Sequence, residues 1–175
     1  MMSVSLKNND ADYVAFDVET ANNCAGSICS IGLAYFNNNK LASKYYSLVR
    51  PPDEFGDFNY YCVSVHGLTA DILSDQPTFA EIYSDIEDFI GNNLLVAHNA
   101  PFDSRHFHAA LAHTGINRSY DFACTLSLAR RTLSLSTYKF DVVCKHLGVP
   151  LENYHNALSD AIACGKVYAA LKDAL

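Results

Sequence analysis

Asp17 and Glu19 stand two residues apart in the stretch Val14-Ala15-Phe16-Asp17-Val18-Glu19-Thr20. An extended chain turns alternate side chains to opposite faces, so Val14, Phe16 and Val18 share one face and Ala15, Asp17 and Glu19 the other. Two carboxylates side by side raise each other's pKa, and a divalent cation held between them would relieve the repulsion. The same alternation fits an antiparallel strand with one solvated face, so the pair alone does not choose.

Two later acids bear on that choice. Leu94-Leu95-Val96-Ala97 reads as a buried strand running into His98-Asn99-Ala100-Pro101-Phe102-Asp103. Pro101 suits a first helical turn, where a missing amide hydrogen costs nothing. From that start Asp103, Phe107, Ala110 and Leu111 fall on one stripe. Asp160, Cys164, Val167 and Leu171 repeat the pattern, again with an acid near the amino end. A carboxylate turned inward without a partner costs several kcal/mol or takes up a proton. One metal centre shared by four acids explains both; a cap or first-turn dipole residue would explain either singly. His155 precedes Asp160 by five positions, a spacing that puts it off the acid's helical face and on the loop entering the helix. With an ordinary pKa near 6.5, imidazole takes a proton from water at neutral pH, as a general base must. A surface histidine is the alternative.

Three blocks carry these residues in order: Phe16-Asp17-Val18-Glu19-Thr20, His98-Asn99-Ala100-Pro101-Phe102-Asp103 and His155-Asn156-Ala157-Leu158-Ser159-Asp160-Ala161. They resemble the sequence blocks of the DEDDh 3'-5' exonucleases, the family that includes the proofreading (epsilon) subunit of bacterial DNA polymerase III and stand-alone relatives. The resemblance runs over roughly residues 12 to 170. It implies a ribonuclease H-like fold and a site with two Mg2+ or Mn2+ ions held by Asp17, Glu19, Asp103 and Asp160. Carboxylate oxygens suit such hard ions better than zinc. It further implies that His155 deprotonates the attacking water and that nucleoside 5'-monophosphates are released.

Substrate contacts follow from the same resemblance. The Thr20 backbone would meet the terminal 3'-hydroxyl, and Phe102, His66 and Val65 would flank the last base or sugar. Core packing is an equal reading for Phe102 and Val65, and a turn for His66-Gly67. His98 and Asn99 either line the site or cap the helix. Arg130, Arg131, Lys139 and Lys145 would bind backbone phosphates, or are solvated helix charge.

The elements that must position these groups are legible as hydrophobic periods. Strands are expected over 28–36 and 41–49 around an Asn37-Asn38-Asn39 turn, and near 120–125. A capping-box helix starts at Thr78, with Phe79, Ile82, Ile86, Phe89 and Ile90 inward. Further helices are expected over 126–133, 140–147 and 155–175, and short helical pieces after Pro51-Pro52. The sum is an α/β fold, a mixed five-stranded central sheet with helices on both faces.

Half of the 175 residues are hydrophobic, enough for one domain over 1–175, with residues 1–11 expected to be flexible. No signal pattern or membrane-length apolar run is present, which points to the cytoplasm. Six cysteines lack a C-x-x-C pair and read as buried free thiols. A formal charge of -7 argues against a nucleic-acid coat protein. It does not exclude an enzyme that grips one chain end, because the proposed metal acids are neutralised by their ions.

The expected activity is metal-dependent 3'-5' exonuclease action on the 3' ends of DNA, with single-stranded DNA as the expected partner. An RNA-trimming enzyme is the alternative, and an inactive end-binding module a third reading. The short run after the last helix leads to the expectation of no stable polymerase association, and a homodimer is left open.

Overall fold

The central strand of the sheet is the one that carries the first acid pair. The computed structural model describes residues 12–55 and 57–174, so the expectation for residues 1–11 lies outside the described residues. β1 (Tyr13–Thr20) pairs antiparallel with β2 (Ile28–Asn37), which pairs antiparallel with β3 (Lys40–Leu48). On its other edge β1 runs parallel to β4 (Leu94–Ala97), and β4 parallel to β5 (Phe122–Cys124). The sheet order is β3-β2-β1-β4-β5. Asn38 and Asn39 close the first hairpin at φ 49° and 62°, left-handed angles that a tight two-residue turn requires and asparagine tolerates.

Helices cover both faces, as the hydrophobic periods predict. Val14, Phe16 and Val18 point into a core completed by α3 (Phe79–Ile90) and α4 (Ala100–His113), through Phe79, Ile82, Ile86, Phe107 and Leu111. Tyr13 and Ala15 point the other way, into a core completed by α5 (Thr125–Thr132), α6 (Phe140–Leu147) and α7 (Ala157–Leu171). Asp17 and Glu19 continue this second face toward the carboxyl end of β1, where it is only half-buried. Because β1 and β4 are parallel, the acids sit beside the loop that leaves β4. Crevices outside the carboxyl ends of parallel strands are where open sheets bind ligands.

Local chemistry sets the helix ends. The Thr78 backbone N–H and hydroxyl both donate to the Glu81 carboxylate, at 2.7 and 2.8 Å. Pro101 sits in the first turn of α4. Asn156 caps α7 by accepting the Ser159 N–H at 3.1 Å. Two glycines let α7 lie directly on β2. A Cβ on Gly32 would stand 2.3 Å from the Ala157 carbonyl carbon, and one on Gly165 2.1 Å from the Phe36 ring. The Tyr13 hydroxyl, buried, donates to the Gly165 carbonyl at 3.0 Å.

Several boundaries differ from the sequence expectation. β5 is three residues, not six, because beyond Cys124 the chain turns at once into α5, which begins at Thr125. The last helix begins at Ala157, since His155 lies at φ 70°, outside helical backbone. It ends at Leu171 in a 3-10 turn, Lys172–Ala174. The short pieces after Pro52 are a 3-10 turn at Asp53–Phe55, α1 (Tyr60–His66) and α2 (Ala70–Leu73). All six cysteines are free, but only Cys29, Cys144 and Cys164 are buried; Cys24 is exposed on the loop after β1. Among the described residues, no helix is long and apolar enough to cross a membrane.

Candidate active site

Asp17, Glu19, Asp103, His155 and Asp160 line one cavity of about 980 Å³. β1 supplies the first two, the first turn of α4 the third, and the capped first turn of α7 the last, with His155 on the turn before it. Donor atoms of Glu19, His155 and Asp160 all lie within 4.8 Å of one another. Asp103 and Asp160 are buried, while Asp17 and Glu19 are half-buried.

Each acid is pushed toward its protonated form. Loss of water lifts Asp17 well above the usual carboxylate range, and the charges of Asp103, Glu19 and Asp160 add to it. Burial, then Asp160 and Asp103, push Glu19 up to about 8. Burial raises Asp160 to about 7, against the opposing hydrogen bond from the His155 backbone. Asp103 is raised by burial and partly held down by the backbone amides of Asp103 and Val18. Among the described residues no lysine or arginine pairs with any of the four.

The residues fit a divalent cation. Asp160 Oδ2 accepts the His155 N–H at 3.0 Å, while its Oδ1 is buried with no hydrogen-bond partner. A buried carboxylate oxygen left bare is costly unless an ion or water completes it. The donor set is carboxylate oxygen with one imidazole at its edge, which suits a hard divalent cation.

The profile of the exonuclease family, RNase_T, matches residues 14–168. The chain belongs to this exonuclease family. The three sequence blocks that carry the five converged residues all fall within the matched span. The chain is 32% identical over 151 residues to the DNA polymerase III subunit epsilon of Rickettsia prowazekii (strain Madrid E), covering 82% of this chain and 65% of that one. It is 31% identical over 161 residues to the PolC-type DNA polymerase III of Clostridium perfringens (strain 13 / Type A), covering 90% of this chain but 11% of that much longer protein. Among solved structures it is similar in fold to Exonuclease X in complex with 5' overhanging duplex DNA, at TM-score 0.74 and 23% identity, over 92% of this chain and 91% of that one. It is similar also to the nuclease domain of 3'hExo, a DEDDh family member bound to rAMP, at TM-score 0.76 and 15% identity, over 95% and 94%.

The remaining expected site residues divide into two groups. His98, Asn99 and Phe102 line the cavity with the acids; Thr20, Val65 and His66 are not among its walls. Leu68 N–H donates to His66 Nδ1 at 3.0 Å, which leaves the proton on Nε2 to donate to the Thr20 carbonyl at 3.1 Å. His66 thus ties α1 to the end of β1. His98 is a clamp: one nitrogen meets the Thr125 hydroxyl at 2.9 Å and the other the Tyr138 carbonyl at 3.3 Å. Burial pushes its pKa down to about 4, so it stays neutral. Asn99 occupies the N-cap position of α4 in left-handed backbone, but its side chain caps nothing. Phe102 is 40% exposed at the cavity lip, its inner face against His106 at 4.6 Å.

Arg130 and Lys139 line the cavity, whereas Arg131 and Lys145 do not. Tyr61 and Tyr154 also line it, and neither was singled out from the sequence. Tyr154 had a signal, since it immediately precedes the histidine of the third block.

Proposed function

We propose that the chain is a metal-dependent 3'-5' exonuclease that hydrolyses the terminal phosphodiester of DNA and releases nucleoside 5'-monophosphates. One observation carries the reading: four carboxylates share a pocket that raises their pKa values, and the bare Asp160 Oδ1 lies among them. Asp17, Glu19, Asp103 and Asp160 would hold the ions. When bound, such ions lower the pKa of water and stabilise the charge that builds on the leaving 3'-oxygen. His155 accepts the proton of the attacking water. Burial lowers its pKa, which keeps the imidazole neutral and able to accept near pH 7. Phe102 offers a half-open aromatic face to the terminal base, a contact that tolerates any sequence. A cytoplasmic location suits such an enzyme.

DNA is favoured because the relatives of highest identity described above are DNA polymerase III proteins. The decisive experiment digests matched single-stranded DNA and RNA oligomers with and without Mg2+ or Mn2+. Mononucleotide release from DNA is expected, dependent on the ion and lost in both Asp103→Ala and His155→Ala. Faster turnover of the RNA strand would transfer the proposal to RNA trimming, and activity surviving both substitutions would overturn it.

Arg130 and Lys139 form no ion pair among the described residues, which leaves them free for backbone phosphates upstream of the scissile one. Each phosphate contact to a single strand adds about 0.7 to the slope of log affinity against log salt. Arg130→Ala with Lys139→Ala is therefore expected to flatten that slope by about 1.4 and to raise KM, with kcat little changed. Fluorescence anisotropy of a labelled oligomer across a salt series measures it, and an unaltered slope would remove both residues from the interface.

A further inference from the structure

A general base needs an orienting partner, commonly a carboxylate or carbonyl hydrogen-bonded to the far ring nitrogen. Among the described residues, no hydrogen bond holds either nitrogen of the His155 imidazole. The backbone of His155 is fixed instead, by its N–H to Asp160 Oδ2 at 3.0 Å and by the turn it occupies. That turn closes with Asn156 N–H donating to the Asn153 carbonyl at 3.0 Å. Its third residue, His155, lies at φ 70°, a position a turn normally gives to glycine or asparagine. A histidine held there is strained, and strain of this kind collects at functional sites.

The turn also brings two neighbouring side chains face to face. The Tyr154 and His155 rings are stacked, with centroids 3.8 Å apart and planes 20° from parallel. The Phe140 ring lies 6.4 Å from that of Tyr154, and the His98 ring 4.6 Å from that of Phe140. His98 is the ring clamped at both nitrogens by Thr125 and Tyr138, and Phe140 is buried. A chain of four ring contacts therefore links a fixed, half-buried imidazole at the end of β4 to the free imidazole over the acids.

We propose that Tyr154 is a positioning residue: its ring, backed by Phe140 and His98, holds the His155 imidazole in the orientation that faces Glu19 and Asp160. The inference rests on the reading of His155 as the general base. The Tyr154 hydroxyl makes no hydrogen bond among the described residues, so the ring alone carries the role. Exposed at 42%, the same ring has a second use open to it, stacking on a substrate base, and the kinetics separate the two. A positioning ring acts on kcat, whereas a substrate-stacking ring acts on KM.

The test compares Tyr154→Phe, Tyr154→Leu and His155→Ala with the natural sequence, using single-stranded DNA and saturating Mg2+. Tyr154→Phe is expected to keep kcat within about 3-fold, and Tyr154→Leu to lower it about 10- to 100-fold at nearly constant KM, the range a misplaced reacting group costs. In the metal-free protein, the His155 ring protons should be shifted upfield by the tyrosine ring current. That shift should persist in Tyr154→Phe and vanish in Tyr154→Leu. Unchanged His155 shifts in Tyr154→Leu, or a raised KM at constant kcat, would overturn the inference. If His155→Ala is inactive while Tyr154→Leu is as fast as the natural sequence, this inference alone falls. If His155→Ala remains active, the reading beneath it falls as well.

Discussion

Asp17→Asn is expected to lower exonuclease turnover by about 10²- to 10³-fold, the order of loss when a group that stabilises transition-state charge is removed. In metal-free buffer near pH 8 the same variant is expected to be more stable than the natural protein. Both outcomes have one cause. Asp17 sits among Asp103, Glu19 and Asp160, all of which raise its pKa in addition to burial. The change would remove a proposed ligand of the cation and also a carboxyl group that crowds its neighbours.

The sign of the pH dependence follows from the raised values. Well below the ordinary carboxylate values of 3.8 and 4.5 the acids are protonated in both folded and unfolded chains, and folding gains or loses nothing from them. As pH rises past the ordinary values of 3.8 and 4.5, the unfolded chain gives up these protons. The folded chain keeps them until about 7 at Asp160 and about 8 at Glu19. The unfolded state therefore binds fewer protons across this window, and stability falls with rising pH until the higher value is passed. A tenfold difference in proton affinity between folded and unfolded chains corresponds to about 1.4 kcal/mol, so the metal-free fold should lose on the order of a few kcal/mol between about pH 5 and about pH 8. Urea denaturation in EDTA at the two pH values measures the loss. Millimolar Mg2+ should remove most of it, because the ion binds only the folded arrangement and displaces the protons. In Asp17→Asn both the fall with pH and the rescue by Mg2+ should shrink. A metal-free protein equally stable across the window would mean that the acids do not crowd one another, and the case for a shared cation would go with it.

What could be read from the sequence was whatever repeats locally. The period-two alternation of Val14 to Glu19 sorted the acid-bearing face of β1 from the wholly apolar one, and the helical stripes below Asp103 and Asp160 are buried as their spacing requires. The five-residue spacing from His155 to Asp160 was enough to put the histidine off the helix. Contacts between segments far apart in sequence left no such mark. Nothing near His98 announces that Thr125 and Tyr138 clamp it, and nothing near Thr20 announces the bond from His66. Gly32 did carry a signal that went unused. A glycine inside an apolar strand often marks a place where another backbone comes close.

Gly32→Ala is expected to destabilise the fold and impair the site together, although strand propensity alone predicts the opposite. In an unhindered strand the change would gain roughly 0.5–1 kcal/mol from the reduced freedom of the unfolded chain. Gly32 pairs with Asp17 across β1 and β2, and its missing Cβ is the space into which the start of α7 fits. The added methyl would stand 2.3 Å from the Ala157 carbonyl carbon and 2.4 Å from the Leu158 nitrogen. These are backbone atoms and cannot rotate away, so the helix start must move by about 1 Å. Overpacking of this kind costs about 3 kcal/mol, or about 10 °C in Tm for a chain of this length. Asp160 travels with that first turn, and a displacement of about 1 Å at a reacting group costs about 100-fold in rate. Gly165→Ala separates the two effects. Its methyl meets the Phe36 ring, a buried side chain, and it presses on α7 beyond Asp160. It should cost comparable stability while leaving turnover much closer to that of the natural enzyme when both variants are assayed well below their melting temperatures. Equal loss of turnover in the two variants would assign the effect to general loosening. A Gly32→Ala protein as stable as its parent would refute the close approach of α7 to β2, and with it the account of how Asp160 is brought to Asp17.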